Sequence, residues 1–274
     1  MDQRIIVVGQ SHARALIDGY ESLAGAPGSL PPGVETSFII SRPDRVIRYS
    51  WSTDGYVTDK PKKSLLDVVA KCDPTRVVLA WGGNQMNLRA LVATDRPFDV
   101  LLPSPESTDP ADPADPATEL IPCAAVARFV RLRLEQNEML GELIADCAKR
   151  TRPMGLLLPP PPIPEPAVRQ RIADEPYFSR VLAELGTTAS DIPIVPDAVR
   201  QRLWVVMTTA YRSFAQKNDI TVLEPPADGF DTNGMLVSNC WGRDVTHANS
   251  AYGALALQRV FAWAMTGSAT NHEN

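Results

Sequence analysis

Residues 4–12 read RIIVVGQSH, and the fold follows from how this stretch has to sit. Ile5, Ile6, Val7 and Val8 are four β-branched residues in succession. A run with no polar alternation predicts a strand buried on both faces, as in a parallel sheet covered by helices. Gly9 ends the run, and apolar spacing typical of a helix follows from about His12 to Ser22, so the unit is strand, tight turn, helix. Two later stretches repeat the pattern. Arg76–Ala80 (RVVLA) is apolar through its interior and ends at Trp81-Gly82-Gly83, and Met154–Leu158 is stopped by four prolines, Pro159 to Pro162. Further strands are predicted at 34–40, 46–51 and 220–223, and helices at 62–71, 121–149, 177–185, 198–217 and 249–265. This alternation predicts an α/β fold: a doubly wound, flavodoxin-like parallel sheet of about five strands with helices on both faces. In such sheets a ligand sits beyond the carboxyl ends of the strands, so the residues after Val8, Ala80 and Leu158 are where chemistry belongs.

The chain of 274 residues is long enough for one large α/β domain, expected over residues 1–267, followed by a polar tail at 268–274. Within it, residues 103–118 form an irregular Pro/Asp-rich loop, because Asp109 to Ala117 is Asp-Pro-Ala three times over and proline at every third position prevents helix and sheet. A composition of 44% hydrophobic and 22% charged residues is that of an ordinary folded globular protein. The net charge is −5 and no dense Lys/Arg run is present, which argues against nucleic-acid or anionic-membrane partners and for a small-molecule or glycan ligand. No basic leader precedes a long apolar core at Met1-Asp2-Gln3-Arg4, and the longest apolar stretch, 251–265, is broken by Gln258 and Arg259, so a cytoplasmic location is expected. Cys72, Cys123, Cys147 and Cys240 lack C-x-x-C spacing and read as reduced thiols; no ligand cluster suggests a metal, and no cofactor is expected.

The glycines exclude the commonest uses of this architecture. Gly9 is followed by Gln10, Ser11, His12, Ala13 and Arg14, which is neither G-x-G-x-x-G nor a Walker A loop. Ser11 instead occupies the turn between a buried strand and a helix start, where free N–H groups and the helix dipole favour negative charge. It suits an acyl-transfer nucleophile, and it equally suits an N-cap. Of the three histidines, His272 lies in the tail and His12, adjacent to Ser11, is expected to point elsewhere, which leaves His247 as the base. Asp244, three residues before it, is close enough to fix its tautomer, although Asp-x-x-His is also a capping pattern. Asn84, after Gly82-Gly83, sits on the same strand edge as Ser11 and can donate to an oxyanion, or simply make a turn. Trp81, Gly83 and Trp241 are candidate substrate contacts, with Phe230 a further aromatic near them; packing explains such aromatics as well.

Together these stretches resemble the SGNH hydrolases, the GDSL-like esterase and lipase superfamily. IIVVGQSH (5–12) is similar to the first block, WGGN (81–84) to the third, and DVTHAN (244–249) to the last, in the family's order along the chain. The resemblance implies Ser11 as nucleophile, Asp244 and His247 as the rest of a triad, and an oxyanion hole from the Ser11 N–H, Asn84 and a second-block glycine. Gly55 is the candidate for that glycine, with Gly33 behind it. Gln10 stands where the family has aspartate, which touches local hydrogen bonding and leaves the nucleophile in place. The implied activity is hydrolysis of a short acyl ester, with O-acetyl on a carbohydrate as one form; an acyltransferase with the same triad and a non-catalytic ligand-binding relic of the fold are the alternatives.

If the Asp-Pro-Ala repeat packs against nothing, excising one unit should leave the melting temperature almost unchanged. A fall of many degrees in a calorimetric scan would show that the segment is part of the packed domain.

Overall fold

A computed structural model describes residues 3–42, 44–52, 55–59, 64–82, 91–92, 97–102 and 118–266. The strands in chain order are β1 (Gln3–Gly9), β2 (Val34–Arg42), β3 (Arg45–Ser52), β4 (Gly55–Thr58), β5 (Arg76–Ala80), β6 (Phe98–Leu101), β7 (Glu119–Pro122), β8 (Met154–Leu157) and β9 (Thr221–Leu223). The helices among the described residues are α1 (Ala13–Ala24), α2 (Leu65–Cys72), α3 (Cys123–Glu135), α4 (Glu138–Lys149), α5 (Glu165–Ile172), α6 (Pro176–Leu185), α7 (Asp197–Lys217) and α8 (Ser250–Thr266).

The main sheet runs β4-β3-β2-β1-β5-β8-β9. Its five parallel strands, β2-β1-β5-β8-β9, have the flavodoxin-like order expected from the sequence. Two antiparallel strands extend it beyond β2. The 46–51 strand is therefore an edge hairpin, because the link from Arg42 to Arg45 is far too short for the crossover that a parallel pair needs. A separate parallel pair, β6 and β7, joins Phe98 to Glu119 and so brings together the two sides of the 103–118 loop, whose residues 103–117 lie outside the described ones. The proposed tail at 268–274 lies outside them too.

β1 is central, and the side chains of Ile5, Ile6, Val7 and Val8 are at most 2% exposed. Ile5 and Val7 pack with α1 and α8 on one face, while Ile6 and Val8 pack with α2, α3, α4 and α7 on the other. The predicted single helix at 121–149 is divided: its first residues belong to β7, and it breaks at Asn137, whose Oδ1 accepts from Leu140 N at 3.0 Å and starts α4. α5 escaped the sequence reading; it follows directly on the proline run. Pro159 to Pro162 are buried, and Pro159 O accepts from Trp204 Nε1 at 3.2 Å. The buried Arg200 ties the segment after them to α7 through Ile163 O at 2.6 Å, Val195 O at 3.0 Å and the Asp197 carboxylate.

α1 and α8 cross backbone against backbone. A methyl group placed on Gly253 would stand 1.8 Å from Ala15 O, and one on Gly19 would stand 2.4 Å from Ala254 N. The Gly253→Ala variant should therefore lose about 1–3 kcal/mol of stability as the helices are forced apart, which is several degrees in Tm for a domain of this size. Unchanged thermal unfolding would mean that the crossing is looser than these distances say.

Candidate active site

The turn after β1 is held by its own backbone. Gln10 O accepts from Ala13 N and Ser11 O accepts from Arg14 N, both at 3.1 Å. His12 stands at the N-cap position of α1 and no side-chain hydrogen bond caps the helix, so the Ser11 hydroxyl is not spent as a cap. Ser11 is exposed at the carboxyl edge of the sheet. Gly9 makes the turn possible: a Cβ there would meet Ala80 O of β5 at 2.6 Å.

The second part of the site sits on a pinched loop leading from β9 to α8. Trp241 and Ala248 form an antiparallel bridge, Asn249 N donates to Cys240 O at 2.9 Å, and Gly242 N donates to His247 O at 2.9 Å. At the loop's tip Asp244 uses its two oxygens differently. Oδ1 accepts from Thr246 N and His247 N, each at 2.8 Å, and from Thr246 Oγ1 at 3.2 Å, which fixes the turn. Oδ2 lies 2.6 Å from His247 Nδ1. A carboxylate only accepts, so Nδ1 is the donor in this bond and the ring is held in one orientation. Burial alone would raise the Asp244 pKa, but the His247 ring and the two backbone N–H groups outweigh it and hold the carboxyl well below the usual range. Asp244 does not cap α8. Asn249 does, its Oδ1 accepting from Ala251 N at 2.9 Å and Tyr252 N at 3.3 Å.

His12 connects the two parts, contrary to the expectation that it points away: its ring centroid lies 5.0 Å from that of His247. Its Nε2 is enclosed without a hydrogen-bond partner. Burial first, and then the neighbouring His247, push its pKa down to about 3 against the pull of Asp244, so His12 is neutral wherever the site would work. The glycine crossing of α1 and α8 makes this proximity possible, since α1 starts at the Ser11 turn and α8 just beyond His247. Glu175, at the start of α6, also faces this pair; burial and then the Asp244 charge raise its pKa. Neither His12 nor Glu175 was picked out as part of the site, though adjacency to Ser11 was a signal for the first.

Trp81 is 5% exposed at the end of β5, and Trp81-Gly82 separates two pockets. The smaller, a cavity of about 20 Å³, lies behind His12 against Leu158, Pro159, Ala248 and Tyr252 and is mostly apolar. The larger, about 90 Å³, is lined by Gln10, Arg133, Asn137 and Tyr211 among others. Gly82 has φ +77°, and a Cβ there would strike Tyr211 Oη at 2.1 Å. Trp241 is otherwise engaged: its Nε1 donates to Leu236 O at 2.6 Å and its ring carries the Arg171 guanidinium at 5.3 Å. Phe230 packs edge-on against Trp204. Gly83 and Asn84 lie outside the described residues. Gly55 is a correction: Ser50 pairs with Ser37 and Ser52 with Gly55, so the antiparallel register carries Gly55 to the amino end of the parallel strands, away from Ser11. Gly33 fails for the same reason, since it precedes Val34 opposite Gln3 at the start of β1.

Comparison with known proteins adds a fold likeness. No protein-family profile and no curated relative matches the chain. Several solved structures resemble it over nearly its whole length, and two of them show the range. One is a GDSL-like lipase from Bacteroides thetaiotaomicron, 10% identical, covering 97% of this chain and 90% of that one, with a TM-score of 0.47. The other is a DUF4886 family protein from Bacteroides uniformis, 10% identical, covering 99% of this chain and 86% of that one, with a TM-score of 0.48. Among the described residues, no helix is long and apolar enough to cross a membrane, and no three His, Cys, Asp or Glu side chains gather as a metal site.

The Asp244 carboxyl is depressed in the folded state, so its contribution to stability is full above the unfolded value of about 4 and fades as pH falls below it. Urea unfolding of the wild type and Asp244→Asn should thus show a gap at pH 7 that narrows under acid. A gap independent of pH would contradict the Asp244–His247 bond.

Proposed function

We propose that the protein is a serine esterase of the SGNH type acting on a short-chain acyl ester. The observation that carries this reading is the 2.6 Å Asp244–His247 pair at the tip of a pinned loop, beside the turn that exposes Ser11. Ser11 Oγ attacks the ester carbonyl while its proton passes to His247 Nε2. Asp244 holds the ring and stabilises the imidazolium that forms. The Ser11 N–H, at the start of α1, and the Asn84 amide receive the oxyanion. His247 then returns the proton to the leaving alcohol, and water, activated by the same imidazole, releases the acyl group.

The small apolar cavity behind His12 suits a short acyl chain, an O-acetyl group being the simplest. The more polar pocket beside Gln10, Arg133 and Asn137 suits a hydroxyl-rich alcohol such as a carbohydrate. Water is the acceptor in this reading, and transfer to a second alcohol would use the same three residues.

A fluorophosphonate probe should label Ser11 in the wild type and leave Ser11→Ala unlabelled, with native circular dichroism in both. Hydrolysis of p-nitrophenyl acetate should vanish in Ser11→Ala and His247→Gln. Asp244→Asn should approach the roughly 10⁴-fold loss that a wrong histidine tautomer causes in serine proteases. His12→Gln should keep the pH profile of the wild type, because His12 is already neutral and contributes no ionisation to it. Retained activity in folded Ser11→Ala would defeat the proposal at its centre.

A further inference from the structure

At the end of the main sheet opposite Ser11, a groove of about 500 Å³ runs under the starts of β5, β8 and β9. Its walls include the ends of α4 and α7, Trp263 of α8, and the side chains of Arg76 and Arg152. The register pairs Val77 with Met154, so Arg76 enters the groove from the first residue of β5 and Arg152 from the turn just before the neighbouring β8. Arg76 lies on the α8 side, its Cζ 4.9 Å from the centre of the Trp263 ring. Arg152 lies on the α4 side, where its side chain is only 9% exposed.

Both guanidinium groups have donors left over. Arg152 Nη2 is paired with Asp73 Oδ1 at 2.8 Å, but Nη1 is buried without a hydrogen bond, its nearest carboxylate oxygen, on Asp146, being 3.8 Å away. Arg76 Nε is likewise buried and unbonded. Among the described residues no carboxylate pairs with Arg76, and burial lowers its pKa with no opposing charge. A half-buried guanidinium stacked on tryptophan, with no anion beside it, is a costly arrangement for structure alone. Guanidinium forks match carboxylate and phosphate oxygens in geometry and charge. Asp219 and the carbonyl ends of α4 and α7 also border the groove and oppose an anion. They border it without bonding either free donor, and the positive charge of Arg76 remains uncompensated.

We propose that this groove binds a small oxyanion-bearing molecule, a carboxylate or a phosphate, held by the charge of the Arg76 guanidinium with that of Arg152 beside it. The site is remote from Ser11, and the proposal is independent of the esterase reading.

The test is titration of the full chain with inorganic phosphate and, separately, succinate, each against sodium chloride at matched ionic strength, followed by calorimetry and Tm. At least one of the two should bind saturably and raise the Tm; which one does so separates a phosphate site from a carboxylate site. Binding should change tryptophan emission in the wild type and not in Trp263→Phe. Arg76→Gln should weaken binding by about tenfold or more, leave p-nitrophenyl acetate hydrolysis unchanged, and melt no lower than the wild type in the absence of ligand. Responses no larger than those to chloride, for both anions, would overturn the proposal. So would Arg76→Gln binding as tightly as the wild type, or an Arg76→Gln variant that is itself destabilised, which would assign the guanidinium to the fold.

Discussion

The contact between Gly19 and Gly253 sets the distance between the two ends of the chain. Backbone meets backbone there, with the second helix's glycine directly over Ala15 O. The first helix begins at the Ser11 turn and the last one begins just after His247, so a single close crossing brings together residues more than two hundred positions apart in sequence. Any side chain at the crossing would act as a spacer, and the spacing between the Ser11 turn and His247 would widen with it. The core on that face, with Tyr20, Leu257 and Phe261, closes around the same contact.

Once the helices are docked, the geometry of the loop before α8 depends on one carboxylate serving two masters. One oxygen of Asp244 organises the backbone of its own loop, and the other orients the imidazole. A residue that only capped the turn would leave the ring free to rotate, and one that only bound the ring would leave the loop unsupported. His12 adds a boundary condition. A second imidazole lies 5.0 Å from the first, and burial keeps it neutral.

Much of this was legible in the sequence because it is governed by local pattern. The uninterrupted apolar runs at 5–8 and 77–80 marked two central parallel strands, and the glycines after them marked where those strands turn out of the sheet. Asp244 and His247 were legible as a pair because three residues is one turn. What was not legible is governed by register and by contacts distant in sequence. Nothing at Gly55 discloses that an edge hairpin turns it to the wrong end of the sheet. Nothing around His12 discloses the tilt of its ring toward a residue beyond α7. The break at Asn137 was locally encoded, as a capping residue inside an apparently continuous amphipathic pattern, and was overridden by the helical periodicity on either side.

The four buried prolines after β8 have a different kind of consequence. An ordinary chain leaving the mouth of a sheet brings amide hydrogens with it, and each buried one needs an acceptor. Pro159 to Pro162 bring none, so the chain can pass over apolar side chains, offering only carbonyls, one of which the Trp204 indole takes. That frees the segment from any zipper of partner strands. The helices α5 and α6 beyond it are thus joined to the sheet by a strap that imposes no register of its own, and their placement rests instead on the side chains of Val168, Ile172 and Phe178 in the core and on the Arg200 bond to Ile163 O.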